Sequence, residues 1–307
     1  MLAIVAPGQG AQKPGMLSSW LELDGAADTL ARMSDRAGLD LARLGTEASA
    51  EEIKDTAVTQ PLVVASALLA ARHLRIPPTA AVAGHSVGEL AAGAVAGVLQ
   101  DLDAVEMAAV RGRAMGAACA LTPTGMSAVM GGATDDVLGA LEELDLVGAN
   151  VNGGGQIVAA GQLDALEQLK ANPLQGVRII PLPVAGAFHT SFMANAEHTL
   201  RDHVGTLTPS DPTHLLLTNS DGTVIGSGEA YLQLLIAQVT HPVRWDLCMQ
   251  TLGNLGVTGV LELPPAGTLV GLVKRDLKGV ATMALRTPAD LDDAAAFAAD
   301  HAGVKLA

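Results

Sequence analysis

Residues 80–99 read AAVAGHSVGELAAGAVAGVL. A short apolar run reaches Gly84, passes Ser86, and resumes after Gly88 as an alanine-rich stretch of helical length. A buried strand feeding directly into a helix is the repeating unit of a parallel α/β sheet. The same rhythm appears elsewhere. LAIVA (2–6) reads as a strand that enters the glycine loop PGQGAQ (7–12). LVVASALLAARHL (62–74) has helix length, and Pro61 before it suits a first helical position. VGELAAGAVAGVL (87–99) and DLDAVEMAAVRGRAMGAAC (101–119) read as two further helices.

The middle of the chain differs. GMSAVMGG (125–132) is strand-like and TDDVLGALEEL (134–144) helical, with Thr134 as its cap. LVGANV (146–151) and QIVAAG (156–161) are strands joined hairpin-fashion through NGGG. LDALEQLKAN (163–172) is helical and VRIIPLPV (177–184) a strand. The order βαββαβ is that of a ferredoxin-like split unit. Residues 123–184 are therefore expected to form a small inserted domain, with 1–122 and 185–307 making the large α/β domain.

Hydrophobic residues make up 49% of the 307 positions and aromatics only 2%, so the core must be Ala, Val and Leu packed closely, which the 34 glycines favour. The formal charge of −14 excludes a general nucleic-acid binder, because phosphate binding needs a basic face. Any anionic substrate or acidic partner must meet a local basic patch. Cys119 and Cys248 lie far apart without metal-ligand spacing, so neither a disulfide framework nor a metal site is expected. The first apolar run stops at Pro7-Gly8 with no basic segment before it, which reads as a strand and not a signal peptide. The longest apolar stretch, 82–99, is interrupted by His85, Ser86 and Glu89 and is rejected as a membrane span. A cytoplasmic monomer is expected.

Gly84-His85-Ser86-Val87-Gly88 matches G-x-S-x-G. A serine on a sharp strand-to-helix turn has a strained backbone, and the residues two before and two after it crowd together unless they lack a Cβ. The turn raises the hydroxyl at a helix N-terminus, whose unpaired N–H groups suit a developing oxyanion. Ser86 is thus a candidate nucleophile. Of eight histidines, His73, His198 and His203 fall on polar helical faces, and His214, His241 and His301 lack a supporting motif. His85 adjoins Ser86, but neighbours on such a turn point apart. His189, in VAGAFHTSFM, lies where the small domain returns to the large one, and such junctions line clefts. It is the favoured base. Of the acids between serine and histidine, the four candidates Asp135, Asp136, Asp145 and Asp164 fall in the insertion on helices or turns, and Glu89 is placed for local hydrogen bonding. No triad acid is evident, so a carbonyl is expected to orient the histidine. Arg111 borders an apolar helix stripe between Met107 and Met115. A part-buried guanidinium wants an anion, either a structural one or a substrate carboxylate.

Together these segments resemble the malonyl-CoA:acyl carrier protein transacylases of fatty acid synthesis and the related acyltransferase domains of polyketide synthases, the actinobacterial members most. PGQGAQ (7–12), TQP (59–61), GHSVGE (84–89), RG (111–112), GMSAV (125–129), GQIVAAG (155–161), GAFH (186–189) and QVTHPVRW (238–245) carry the likeness, in order. It implies an α/β-hydrolase-like core with a ferredoxin-like insertion. Ser86 would accept malonyl from malonyl-CoA, a substrate and not a cofactor, and pass it to the phosphopantetheine thiol of acyl carrier protein, with no cofactor. His189 would be the base, oriented by the backbone carbonyl of Gln238. Val87 and Gln9 would supply oxyanion N–H groups, Arg111 would clamp the malonyl carboxylate, and Asn152 would touch substrate. Phe188 matches the malonyl-selective pattern, where methylmalonyl-selective members have serine; a pocket discriminates one carbon by about 1–3 kcal/mol. PPAG (264–267) departs from the family's more usual glycine-rich turn. Lys274, Arg275 and Lys278, joined by Arg72 and Arg75, are the candidate dock for an acidic carrier. The competing functions are a serine esterase or thioesterase with the same elbow, and a carrier-binding module with an inert one.

Overall fold

The structure, a computed structural model, describes residues 1–303. Its strands are β1 (Leu2–Ala6), β2 (Ala81–Gly84), β3 (Thr124–Met130), β4 (Val147–Gly153), β5 (Gln156–Gln162), β6 (Arg178–Pro181), β7 (Leu215–Leu217), β8 (Val224–Ile225), β9 (Val243–Arg244), β10 (Gly259–Glu262) and β11 (Ala281–Ala284). Its helices are α1 (Ala26–Ala37), α2 (Leu41–Thr46), α3 (Thr56–Ala71), α4 (Gly88–Val95), α5 (Asp101–Cys119), α6 (Thr134–Glu142), α7 (Leu163–Ala171), α8 (Ala194–Val204), α9 (Gly228–Ala237), α10 (Trp245–Asn254), α11 (Leu269–Asp276) and α12 (Leu291–Asp300).

Six strands form one sheet in the order β11-β10-β1-β2-β7-β8, parallel except for β8. Both faces are covered, which is why its strands are apolar without alternation. Along β1, Leu2, Ile4 and Ala6 join one core cluster while Ala3 and Val5 join another on the opposite face. Alanine at 81 and 83 leaves room for α10 and α11, whose Trp245, Cys248, Leu272 and Val273 pack in that second cluster. The first cluster is built largely from α3, α4 and α5. The bulk missing from a core with so few aromatics is restored by close helix approach. A Cβ on Gly112 of α5 would lie 2.6 Å from the Thr56 carbonyl oxygen of α3.

The second sheet runs β6-β3-β5-β4-β9. Its first four strands are antiparallel and come from 124–181; β9 joins in parallel beside β4. So residues 243–244, outside the 123–184 segment, complete this sheet. The NGGG connection is a two-residue turn, Gly154-Gly155, with φ of 56° and 69°, the positive values a tight hairpin of this hand requires.

Two helix starts differ from expectation: Thr134 is the first residue of α6, with Ala133 at the cap position and no side-chain cap bond, and α3 begins before Pro61. Pro61 lies inside α3, which begins five residues earlier. Asp55 caps it, its carboxylate accepting from the Ala57 N–H, and that cap overrides proline's preference for the first turn. His73 also lies in the turn beyond α3, exposed to solvent. No helix among the described residues is long and apolar enough to cross a membrane, and both cysteines are free thiols.

Candidate active site

β1 and β2 are the central strands, and both end at the same edge of the sheet, where ligands of parallel sheets gather. β2 turns there into α4 through the elbow. Ser86 has φ 52°, left-handed for a residue with a side chain. The glycines around it are needed for contact as well as conformation. A Cβ on Gly84 would fall 2.1 Å from the Gly88 backbone, and one on Gly88 would fall 2.3 Å from the Ala6 carbonyl oxygen. The expected crowding between the two glycine positions is present, and Gly88 also lies tight against the end of β1.

Asn219, just past β7, splints the turn. Its Nδ2 donates to the Gly84 carbonyl and its Oδ1 accepts from the Ser86 N–H, both at 2.7 Å. The carboxamide thus extends hydrogen bonding beyond the end of the β2–β7 ladder and satisfies the backbone where the chain turns.

His189 comes from the segment between β6 and α8 and has φ 61°. Its Nε2 lies 2.8 Å from Ser86 Oγ and its Nδ1 lies 2.7 Å from the Gln238 carbonyl oxygen. A carbonyl only accepts, so Nδ1 carries the proton and Nε2 offers its lone pair to the serine hydroxyl. Burial, then the nearby Arg111 charge, lowers the His189 pKa to about 3, keeping the ring neutral. His85 points away, as expected: its Nε2 meets Asn152 Oδ1 at 2.7 Å and its ring packs edge-on to Trp245.

Arg111, 2% exposed, reaches the same point from α5. Nη1 donates to Gln60 Oε1 at 2.7 Å, while Nη2 donates to Gln238 Oε1 at 2.9 Å and to Ser86 Oγ at 3.3 Å. No carboxylate among the described residues lies within ion-pairing distance of it. Burial lowers its pKa to about 10, so it remains a cation at neutral pH with only neutral direct partners.

Ser86, His189 and Arg111 open on a cavity of about 470 Å³ between the two sheets. Gln9, Val87, Phe188 and Asn152 also line it. The backbone N–H groups of Gln9 and Val87 donate to no acceptor among the described residues. The Gln9 side chain donates to Thr56 Oγ1 at 3.2 Å. Asn152 presents its oxygen to His85, so part of its polar capacity is already used. The first turn of α11 reaches the cavity at Thr268, Leu269 and Leu272, held by Glu262, whose carboxylate accepts the N–H groups of Gly267, Thr268, Leu269 and Val270. The PPAG segment is thereby anchored.

Lys274, Arg275 and Lys278 are exposed at the far end of α11, away from any ion pair among the described residues. Arg72 differs in having an ion-pair partner, Asp101, at 3.2 Å.

Sequence reasoning passed over Asn219 and Gln60, and placed the partners of Glu89 too close in the chain. Asn219 sits in TNSDG (218–222), a run that reads as an ordinary turn. Gln60 was visible inside TQP but had no assigned role. Glu89 was expected to bond locally; instead its Oε1 accepts the Asn219 N–H at 2.7 Å and its Oε2 accepts Gln238 Nε2. Burial lifts the Glu89 pKa to about 8.

Residues 4–287 match the family model described as acyl transferase domain. The malonyl CoA-acyl carrier protein transacylase of Mycobacterium tuberculosis is 55% identical over 300 residues, covering 96% of this chain and 99% of that protein. The enzyme of the same name from Escherichia coli K12 is 31% identical, over 93% and 96%. The crystal structure of MCAT from Mycobacterium tuberculosis superposes with a TM-score of 0.93 at 53% identity, covering 96% of this chain and 99% of that one. A malonyl-transacylase solved in complex with a holo type II polyketide acyl-carrier protein superposes at 0.90 with 30% identity, over 96% and 99%. With a model match across most of its length and relatives alike from end to end, this chain belongs to the acyl transferase family and is an acyltransferase of the malonyl CoA-acyl carrier protein transacylase type.

Proposed function

We propose that the protein transfers malonyl from coenzyme A to the phosphopantetheine thiol of acyl carrier protein by a ping-pong mechanism. Ser86 Oγ attacks the malonyl thioester carbon as its proton passes to His189 Nε2. The Nδ1–H bond to the Gln238 carbonyl holds the ring and favours the imidazolium that forms. The Val87 and Gln9 N–H groups receive the oxyanion. The tetrahedral intermediate collapses, the C–S bond breaks, and His189 returns the proton to the departing thiolate. Coenzyme A leaves Ser86 as a malonyl ester. The carrier thiol then gives its proton to His189 and attacks that ester, regenerating the Ser86 hydroxyl. All the groups used lie in one chain, so a monomer suffices, and no step calls on a cofactor.

The observation that carries this reading is Arg111. A buried guanidinium beside the nucleophile, braced by neutral amides and left without a carboxylate, suits an acyl group that ends in one. In this reading residues 123–184 are a ferredoxin-like insertion, its sheet completed by β9 of the large domain, into an α/β-hydrolase-like core of 1–122 and 185–307. It walls the cavity so that the acyl-enzyme waits for a thiol in place of water.

Intact mass after brief exposure to malonyl-CoA tests the proposal. A malonyl adduct on Ser86 that persists in water and disappears onto added holo carrier protein is the expected result. Free malonate without an accumulating adduct makes the protein a thioesterase instead.

A further inference from the structure

Glu89 is fully buried on the first turn of α4, three residues after Ser86, and the mechanism above gives it no part. Its two carboxylate oxygens accept from two donors on different elements. One is the Asn219 backbone N–H, at 2.7 Å; the other is the Gln238 carboxamide nitrogen. The opposite end of the same carboxamide, Gln238 Oε1, accepts from Arg111 Nη2 at 2.9 Å. Gln238 therefore stands between a carboxyl group and a cation that share no direct contact.

A carboxamide can be turned over with little change in shape, so its polarity must be set by its neighbours. Here both neighbours agree. Both Glu89 oxygens accept, from the Asn219 N–H and from Gln238 Nε2, and a guanidinium only donates. One orientation satisfies both, with Nε2 toward Glu89 and Oε1 toward Arg111. The backbone carbonyl of Gln238 meanwhile holds His189 Nδ1 at 2.7 Å, and its Nε2 also lies 3.2 Å from the Ser86 carbonyl. A single residue thus touches the base, the elbow and the guanidinium, and Glu89, with the Ser86 carbonyl and Asn219 Oδ1, holds the Nε2 end of its side chain.

The interposed amide has a physical use. A carboxylate placed directly on Arg111 would orient it but would also neutralise the charge that an acyl carboxylate must meet. Through Gln238, Glu89 orients Arg111 while its direct partners, Gln60 Oε1 on one side and Gln238 Oε1 on the other, stay uncharged.

We infer that Glu89 is a positioning residue for acyl selectivity: through the Gln238 carboxamide it aims the Arg111 guanidinium at the carboxylate end of the acyl group. The inference rests on the reading of Arg111 as the malonyl clamp. Replacing Glu89 by glutamine keeps the shape but gives one end of the side chain two donors. The Asn219 N–H is fixed in the backbone and retains the remaining acceptor. The new amide nitrogen then faces Gln238 Nε2, and the clash of two donors displaces the carboxamide, so that its Oε1 no longer holds Arg111.

The test compares the kcat/KM for Ser86 loading from malonyl-CoA with that from acetyl-CoA, by intact mass, in four proteins: unmodified, Glu89→Gln, Gln238→Met and the double variant. The malonyl-to-acetyl ratio is expected to fall about 10- to 100-fold in each single variant, with the malonyl KM rising more than its kcat falls. The double variant should show no further fall beyond about twofold, because both changes break one relay. Proportionate loss on both substrates, or multiplied effects in the double variant, would overturn the inference and leave Glu89 a support of the fold. If Glu89→Gln does not fold, Gln238→Met decides alone: an unchanged ratio overturns the relay. Failure of the unmodified protein to load malonyl at all would remove the proposed function itself, and the relay with it; normal loading with an unchanged ratio in the variants removes the relay only.

Discussion

His189 Nε2 lies 2.8 Å from Ser86 Oγ across 103 residues of sequence, and both residues are held at positive φ, 61° and 52°. Each such conformation costs a residue with a Cβ about 1–2 kcal/mol, and here the surrounding hydrogen bonds offset it. Asn219 holds the Ser86 side of the contact, and the Gln238 carbonyl with the Thr190 turn holds the other. Changing Ser86 to Ala should abolish the acyl adduct. Changing His189 to Ala should slow its formation by about 10²–10⁴-fold, the range for loss of a general base. Single-turnover intact mass reads both.

The His189 pKa, lowered to about 3, sets a pH dependence. The unfolded imidazole titrates near 6.5. Between those values the unfolded chain binds the extra proton and the folded one does not, so stability falls as pH drops from about 6.5 toward 3. The slope from this one group approaches about 1.4 kcal/mol per pH unit. His189→Gln should flatten that part of a denaturation series. A second consequence concerns the rate. The Arg111 charge is one cause of the low value, so a bound malonyl carboxylate that neutralises it should raise the pKa. The acid limb of kcat for Ser86 loading should therefore lie at higher pH than that of kcat/KM, and coincident limbs would count against the clamp.

Arg111→Ala should reduce malonyl loading at least about 100-fold, the cost of removing a charge-assisted contact from a buried site. Acetyl, with no carboxylate, should lose far less. Equal losses on the two substrates would mean that Arg111 only supports Gln60 and Gln238.

Glycines in this chain differ sharply in what they tolerate. Gly84→Ala drives a Cβ to 2.1 Å from the Gly88 backbone and should destabilise by about 3 kcal/mol or more. Gly116→Ala, inside α5 with nothing within 4 Å of the added carbon, should stabilise by about 0.5–1 kcal/mol. Chemical denaturation of the two variants checks the pair, and a tolerated Gly84→Ala would mean that the elbow can relax.

Reversing charge at Lys274 and Arg275 should raise the KM for carrier protein several-fold at low salt and leave Ser86 acylation by malonyl-CoA intact, because these side chains lie at the solvent end of α11 while only its first turn reaches the cavity. A parallel drop in both half-reactions would place the carrier elsewhere.

Short-range patterns in the sequence determined the alternation of buried strands with helices, the elbow at Ser86, the glycine turn between β4 and β5, and the βαββαβ order of 124–181. Each follows from sterics or burial over a few consecutive residues. Pro61 lies within α3 because its usual place at a helix start is outweighed by the Asp55 cap six residues before it. The tertiary structure alone decided which polar groups meet. Asn219 looks like a turn residue until β7 lies beside β2, and Glu89 looks like a helix-start acid until Gln238, 149 residues away, reaches it. The physical reason is range: backbone conformation is constrained by adjacent residues, whereas the partner of a buried amide or carboxylate is whatever the packed core brings within about 3 Å of it.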